Sequence, residues 1–170
     1  MTPLDLHLRA APRAEVNRVV REYGDTLREL AIANIFPGDI LWRNFGLTRH
    51  GRVVCYDYDE LEYLTDCIFR VIPPAPNPET ELGDEVWFGV GSHDVFPEEF
   101  ERFLLGGDAI REAFVQHHSE LLQAQFWQEC QRRIAAGEVV DFFPYPEEIR
   151  FCNRFDTRRP DGLRPSRAAS

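Results

Sequence analysis

The chain contains no lysine: all 19 of its basic residues are arginine. Genome composition accounts for most of such a bias. Even so, any role that needs a compact ammonium is left unfilled, because a planar guanidinium is not an equivalent point charge. Positive charge is scarce as well, with 19 basic residues against 29 acidic ones and a formal net charge of -10. That balance repels phosphate backbones and anionic membranes, so neither nucleic acid nor a membrane is an expected partner. The four cysteines, Cys55, Cys67, Cys130 and Cys152, form no C-x-x-C pair. Their scatter argues against a structural zinc site and for buried thiols in a reducing compartment. No apolar run approaches the length of a membrane span, and the chain opens without a signal-peptide pattern, so a cytoplasmic protein is expected.

What is present suits a folded chain. At 170 residues, with 44% hydrophobic and 12% aromatic content, it is long enough to bury a sizeable core and most simply forms one domain. Apolar residues at Val16, Val19, Val20, Tyr23, Leu27, Leu30 and Ala31 recur at helical spacing, which predicts an amphipathic helix from Ala14 to Ala33. Gly24 weakens that pattern without ending it. Pro37-Gly38 then starts a loop. The run Phe45 to Thr48, a turn at Arg49-His50-Gly51 and the β-rich Val53 to Tyr56 predict a hairpin. A short helix is expected over Leu61 to Cys67. A proline-rich connector spans Ile72 to Leu82, and Val86-Trp87-Phe88 reads as a short buried strand or a packed segment. Pro97 opens a helix whose apolar face is Phe100, Phe103 and Leu104. A longer helix is expected from about Ala109 to Ala136, stopped by Gly137.

The informative stretch lies between the first helix and the hairpin's end. Asp39 and Asn44 stand in Pro37-Gly38-Asp39-Ile40-Leu41-Trp42-Arg43-Asn44, and Asp57 follows thirteen residues later in Tyr56-Asp57-Tyr58-Asp59-Glu60. Asp-x4-Asn followed by an aspartate after an apolar run is the spacing of a kinase catalytic loop and its metal-binding acid. Phosphoryl transfer needs an oriented nucleophile and neutralised phosphate charge more than covalent help. Asp39 would accept or orient the proton of an attacking hydroxyl. Asn44 and Asp57 offer the hard oxygens that magnesium prefers. The hairpin would bring Asp57, at the far end of its second strand, back to the loop.

Alternatives remain at this point. Asp39 could cap a turn beside Gly38, Asn44 end a loop and Asp57 cap the next helix. Asp59 and Glu60 could be the solvated start of that helix, or one of them could approach the metal or an attacking water. The strand ending in Asp57-x-Asp59 also fits phosphatases with an aspartyl-phosphate intermediate, but it leaves Asp39 and Asn44 unexplained. His117-His118 reads as part surface and part core, and Gly89-Val90-Gly91 lacks the context of a nucleotide loop. The arginine-rich segment after Arg150 reads as a frayed tail.

Longer strings narrow the choice. Ala33-Asn34-Ile35-Phe36-Pro37-Gly38-Asp39, Asn44-Phe45-Gly46, Thr48-Arg49-His50-Gly51-Arg52-Val53-Val54, Tyr56-Asp57-Tyr58-Asp59-Glu60, Ile72-Pro73-Pro74 and Asp94-Val95-Phe96-Pro97-Glu98-Glu99-Phe100 together resemble the bacterial isocitrate dehydrogenase kinase/phosphatase family. The resemblance runs from about Thr2 to Phe151. It implies an α+β, mainly helical fold: a protein-kinase-like C-terminal lobe with a short β-hairpin carrying the metal-binding Asp57. It implies that one site phosphorylates a serine of isocitrate dehydrogenase with ATP and Mg2+ and removes the phosphate again, with ATP or ADP also required for removal. That activity sets carbon flow between the tricarboxylic acid cycle and the glyoxylate bypass.

By position, Asp39 matches the catalytic aspartate. Asn44 and Asp57 match the metal and cofactor ligands, and Asp59 matches an extra catalytic acid where other kinases have glycine. Family members are several times longer, with a regulatory domain and a small lobe that supplies a phosphate-gripping lysine, and the full-length enzymes are expected to be homodimers. The chain is accordingly expected to hold a catalytic large lobe at 1–151 and an arginine- and proline-rich tail at 152–170, and to be inactive without the family's N-terminal part. A docking lobe that binds isocitrate dehydrogenase without phosphotransfer is the competing reading. A small-molecule kinase of the aminoglycoside type shares Gly-Asp-x4-Asn but explains none of the longer strings.

Overall fold

The computed structural model describes residues 1–74, 76, 87–104 and 107–138, apart from the side chains of 103 and 104. Among the described residues, helices mix with three small sheets. A two-residue strand β1 (Thr2–Pro3) leads into helix α1 (Leu4–Ala10), whose Leu4 and Leu8 are buried while Leu6 stays exposed. Helix α2 (Arg13–Ile32) follows Pro12 and buries the stripe Val16, Val19, Val20, Tyr23, Leu27 and Ala31. Its pattern recurs every three to four residues, so one face is apolar along the whole helix. It ends at Asn34, which adopts a left-handed conformation with φ 62°. Asparagine tolerates that geometry and closes the helix as a glycine would.

Strand β2 (Ile35–Phe36) leaves α2 and runs into the loop of interest. A 3-10 turn at Trp42–Asn44 then opens β3 (Phe45–Leu47), which pairs antiparallel with β4 (Val53–Cys55) in the register Phe45↔Cys55 and Leu47↔Val53. This is the expected hairpin, and β1 extends it to three strands with Thr2 opposite Leu47. The second strand stops at Cys55, so Asp57 lies two residues beyond it rather than at its end.

Downstream the structure departs from two sequence expectations. Residues 61–67 are not a helix: β5 (Glu62–Tyr63) pairs antiparallel with β2, Ile35 opposite Tyr63, and a 3-10 turn occupies Leu64–Asp66. A sheet partner distant in sequence outweighs the local helical pattern. Strand β6 (Ile68–Phe69) pairs in parallel with β7 (Asp94–Val95), and α3 (Glu98–Leu104) begins just after Pro97.

The helix expected over Ala109 to Ala136 is broken in two. α4 (Asp108–His118) gives way to a 3-10 turn at Ser119–Leu122, and α5 (Ala124–Ala135) ends before Gly137, whose φ is 81°. The break lets Trp127 donate its indole N–H to the Leu121 carbonyl at 2.9 Å. Trp87 and Phe88 belong to no strand, while Val86 lies outside the described residues, as do most of the 72–82 connector, the side chains of Phe103 and Leu104, Cys152 and the 151/152 domain boundary.

Two aromatic groups fill the core. Tyr23 meets Trp42, Phe45 and Phe114 at ring-centroid distances of 4.1, 4.9 and 6.3 Å. Trp127 stacks on Phe69 at 5.2 Å and meets Phe36 edge-on at 5.7 Å. The first group sits under the Asp39 loop and the second under β2. The first group thus backs the loop that carries Asp39, and the second backs the strand that leads into it. Gly24 is what lets α2 and α4 approach: a Cβ there would lie 2.2 Å from the His118 ring. Among the described residues, no helix is long and apolar enough to cross a membrane.

Candidate active site

The loop that carries Asp39 is held from below. Tyr23, fully buried on α2, donates its hydroxyl to the Ile40 carbonyl. Burial first, then the negative charge of Asp39, pushes the Tyr23 phenol well above its ordinary pKa, so it remains a donor. Gly38 turns the chain with φ 69°, and a Cβ there would lie 2.3 Å from the Glu60 carbonyl oxygen. Only glycine permits both the left-handed turn and this approach of the loop to the segment after Asp57.

Asp39 is bonded through both carboxylate oxygens. Oδ1 accepts the Leu41 N–H at 2.9 Å, and Oδ2 accepts from the Arg43 guanidinium at 3.0 Å. Asn44 closes the same loop: its Nδ2 donates to the Asp39 carbonyl at 3.1 Å, and its own N–H to Leu41 at 2.9 Å. With the amide nitrogen so engaged, the side-chain oxygen is the atom left for a ligand. Asn44 is one of two buried polar residues among the described residues, the other being His118.

The opposite wall is the turn after β4. The Cys55 thiol donates to the Asp57 carbonyl at 3.2 Å, the Tyr58 hydroxyl donates to the Cys55 carbonyl at 2.8 Å, and the Asp59 N–H lies 3.4 Å from Asp57 Oδ1. Tyr56 spans to the loop, its N–H on the Asn44 carbonyl at 3.1 Å and its hydroxyl on the Arg43 carbonyl. Asp39, Asn44, Asp57, Asp59, Glu60 and Arg43 thus line one cleft of about 150 Å³. Arg43 is the only cation among the described residues lining it.

All four residues singled out from the sequence therefore meet in one place. Asp39, Asn44 and Asp57 are at least partly buried, whereas Asp59 and Glu60 are exposed at the rim. Sequence reasoning placed Tyr23 only in the core and did not single out Arg43 or Tyr56. Their bonds run between segments far apart in the chain, and no local spacing announces them. The turn-capping contacts considered as an alternative are present too: Asp39 does cap the Leu41 N–H. Asp57, however, caps no helix, because a turn at Asp59-Glu60 and then β5 follow it.

The donor set suits a hard divalent cation. Asn44 and Asp57 offer oxygen donors only, the kind magnesium takes alongside several waters. Among the described residues no group of three or more His, Cys, Asp or Glu side chains is arranged to hold a metal.

Residues 1–147 match the sequence model of the isocitrate dehydrogenase kinase/phosphatase (AceK) kinase domain. The chain belongs to that family. It is 57% identical over 159 residues to the isocitrate dehydrogenase kinase/phosphatase of Aromatoleum aromaticum, a match covering 94% of this chain and 27% of that protein. The Azoarcus sp. protein of the same name is 57% identical over 155 residues, covering 91% and 26%. The Bordetella parapertussis protein is 53% identical over 170 residues, covering 100% and 27%. The chain thus spans about a quarter of the length of these relatives, and that quarter is matched to the kinase domain.

Proposed function

We propose that the chain is the kinase-like catalytic lobe of a bifunctional enzyme that phosphorylates a serine of isocitrate dehydrogenase and removes that phosphate again. The observation that carries this reading is the gathering of Asp39, Asn44, Asp57 and Asp59 in one cleft of a chain of this family. In this reading Asp39 receives or orients the proton of the serine hydroxyl. Its two hydrogen bonds hold the carboxylate in a fixed direction, which is what an orienting base requires. Asn44 and Asp57 hold Mg2+, which when bound neutralises charge on the phosphates of ATP. Asp59, exposed at the rim and two residues from Asp57, is reachable by water and serves the hydrolytic direction as an acid/base.

The lobe is inactive alone. The described residues around the cleft offer only Arg43 as a cation, and Arg43 is engaged by Asp39. Gripping ATP requires the remainder of the enzyme, as does pairing into a homodimer. The setting is cytoplasmic, and the output is control of the branch between the tricarboxylic acid cycle and the glyoxylate bypass. A docking lobe that binds isocitrate dehydrogenase without catalysis is the second reading. It is favoured by the exposed apolar side chains Tyr58, Leu61 and Tyr63 just beyond the cleft.

The test is phosphate transfer from ATP to isocitrate dehydrogenase in the presence of Mg2+. The chain alone is expected to give no transfer, and a chimera joining it to the remainder of the Aromatoleum relative is expected to be active. A chimera that binds isocitrate dehydrogenase yet transfers nothing would favour the docking reading.

A further inference from the structure

The residue immediately before Asp57 makes two bonds to the loop that carries Asn44. The Tyr56 N–H donates to the Asn44 carbonyl at 3.1 Å, and the Tyr56 hydroxyl donates to the carbonyl of Arg43, the residue before Asn44. The side chain reaches that carbonyl by lying over β3, where Gly46 leaves room for it. A Cβ on Gly46 would stand 3.2 Å from the Tyr56 ring, and closer still to the Met1 side chain. Glycine two residues after Asn44 thus makes room for the Met1 side chain first and for this ring second.

We infer that Tyr56 is a positioning residue that sets the separation between Asn44 and Asp57, and through it the affinity of the cleft for a divalent cation. The inference rests on the proposed function, in which those two residues hold the metal. Asn44 is already braced on the loop side by its bond to the Asp39 carbonyl. Asp57 lies past the end of β4 and has lost ladder pairing by that point. Among the described residues, Tyr56 supplies the hydrogen bonds that tie the Asp57 turn directly to Arg43 and Asn44. The backbone bond ties the turn to the loop at one point, while the Cys55 thiol and the Tyr58 hydroxyl brace it only against β4 and within itself. The hydroxyl adds a second tie to the loop, one residue away, and so fixes the spacing across the cleft. Groups that orient metal ligands without touching the metal change affinity by about 10- to 100-fold when lost.

The experiment is titration of Mn2+, a paramagnetic stand-in for Mg2+, into the full chain, read by water-proton relaxation and independent of any enzymatic turnover. The wild-type chain is expected to bind, and Asp57→Asn to abolish binding. Tyr56→Phe, which removes one oxygen from a side chain that is 36% exposed, is expected to weaken binding roughly tenfold with an unchanged thermal midpoint. Tyr63→Phe, an equivalent deletion on exposed β5, is expected to leave binding as it was. Gly46→Ala, whose methyl crowds both Met1 and the Tyr56 ring, is expected to weaken binding in the same direction, which covers the case of a Phe variant that does not fold. Wild-type affinity in both Tyr56→Phe and Gly46→Ala would overturn the positioning role alone. Absence of Mn2+ binding by the folded wild-type chain would overturn the metal assignment and this inference with it.

Discussion

Asn44 donates its side-chain amide to the backbone carbonyl of Asp39 at 3.1 Å, so the proposed metal ligand braces the residue proposed to orient the nucleophile. The two functions therefore share one piece of structure. A change at Asn44 is felt at Asp39 even though Asp39 itself is untouched. Because Asn44 is buried, its removal leaves the Asp39 carbonyl without its donor and opens a space beneath the loop.

Asn44→Ala is accordingly expected to lower stability by about 1–2 kcal/mol, the usual cost of leaving a buried acceptor unpaired. In the complete enzyme it is expected to abolish phosphate transfer. Thermal unfolding of the chain and transfer by the chimera check the two effects separately. A variant of unchanged stability would show that the amide does not brace the loop.

Gly24→Ala is expected to destabilise the chain by about 1–3 kcal/mol, because its methyl would drive into the His118 ring and α2 or α4 must shift. Removing the ring as well, in Gly24→Ala with His118→Ala, is expected to cost less than the two single changes added together. A double-mutant cycle by chemical denaturation measures that coupling, and simple additivity would contradict direct packing of Gly24 on His118.

His118 also predicts a pH dependence. It is almost fully buried, with Nε2–H donating to the Arg21 carbonyl at 2.9 Å and Nδ1 without a partner. Burial first, then the nearby Arg28 cation, lowers its pKa from 6.5, against opposing contributions from the Arg21 carbonyl and the charges of Asp25 and Glu120. The unfolded chain therefore takes up this proton at higher pH than the folded chain does. Stability from this residue is complete above about pH 6.5 and is lost as the pH falls through the lower folded value. Between pH 7 and 5 the thermal midpoint is expected to fall more steeply in wild type than in His118→Gln, which keeps a donor for Arg21. Parallel curves would contradict this.

The limits of legibility follow from where each interaction partner lies. Helix α2 and the β3–β4 hairpin were readable because their signals are local: an apolar residue every three or four positions, and a β-rich run after the turn at Arg49-His50-Gly51. The Asp39, Asn44 and Asp57 spacing was readable for the same reason. The strand at Glu62–Tyr63 was not, because its partner Ile35–Phe36 lies some two dozen residues earlier and the intervening acids resemble a helix start. The break at Ser119–Leu122 was hidden by apolar residues that continue the helical rhythm on both sides. The need for glycine at position 24 was invisible for want of His118 beside it. Tyr56 and Tyr23 looked like ordinary aromatics because what distinguishes them is the carbonyl each hydroxyl reaches.

The proposed mechanism depends on Asp39 receiving or orienting the serine proton. The most direct measurement is the initial rate of phosphate transfer to isocitrate dehydrogenase by the chimera carrying Asp39→Asn, compared with the unmutated chimera. Loss of a positioned base predicts a fall of about 10²- to 10⁴-fold, with isocitrate dehydrogenase binding retained. A rate within tenfold of the unmutated chimera would contradict the assignment.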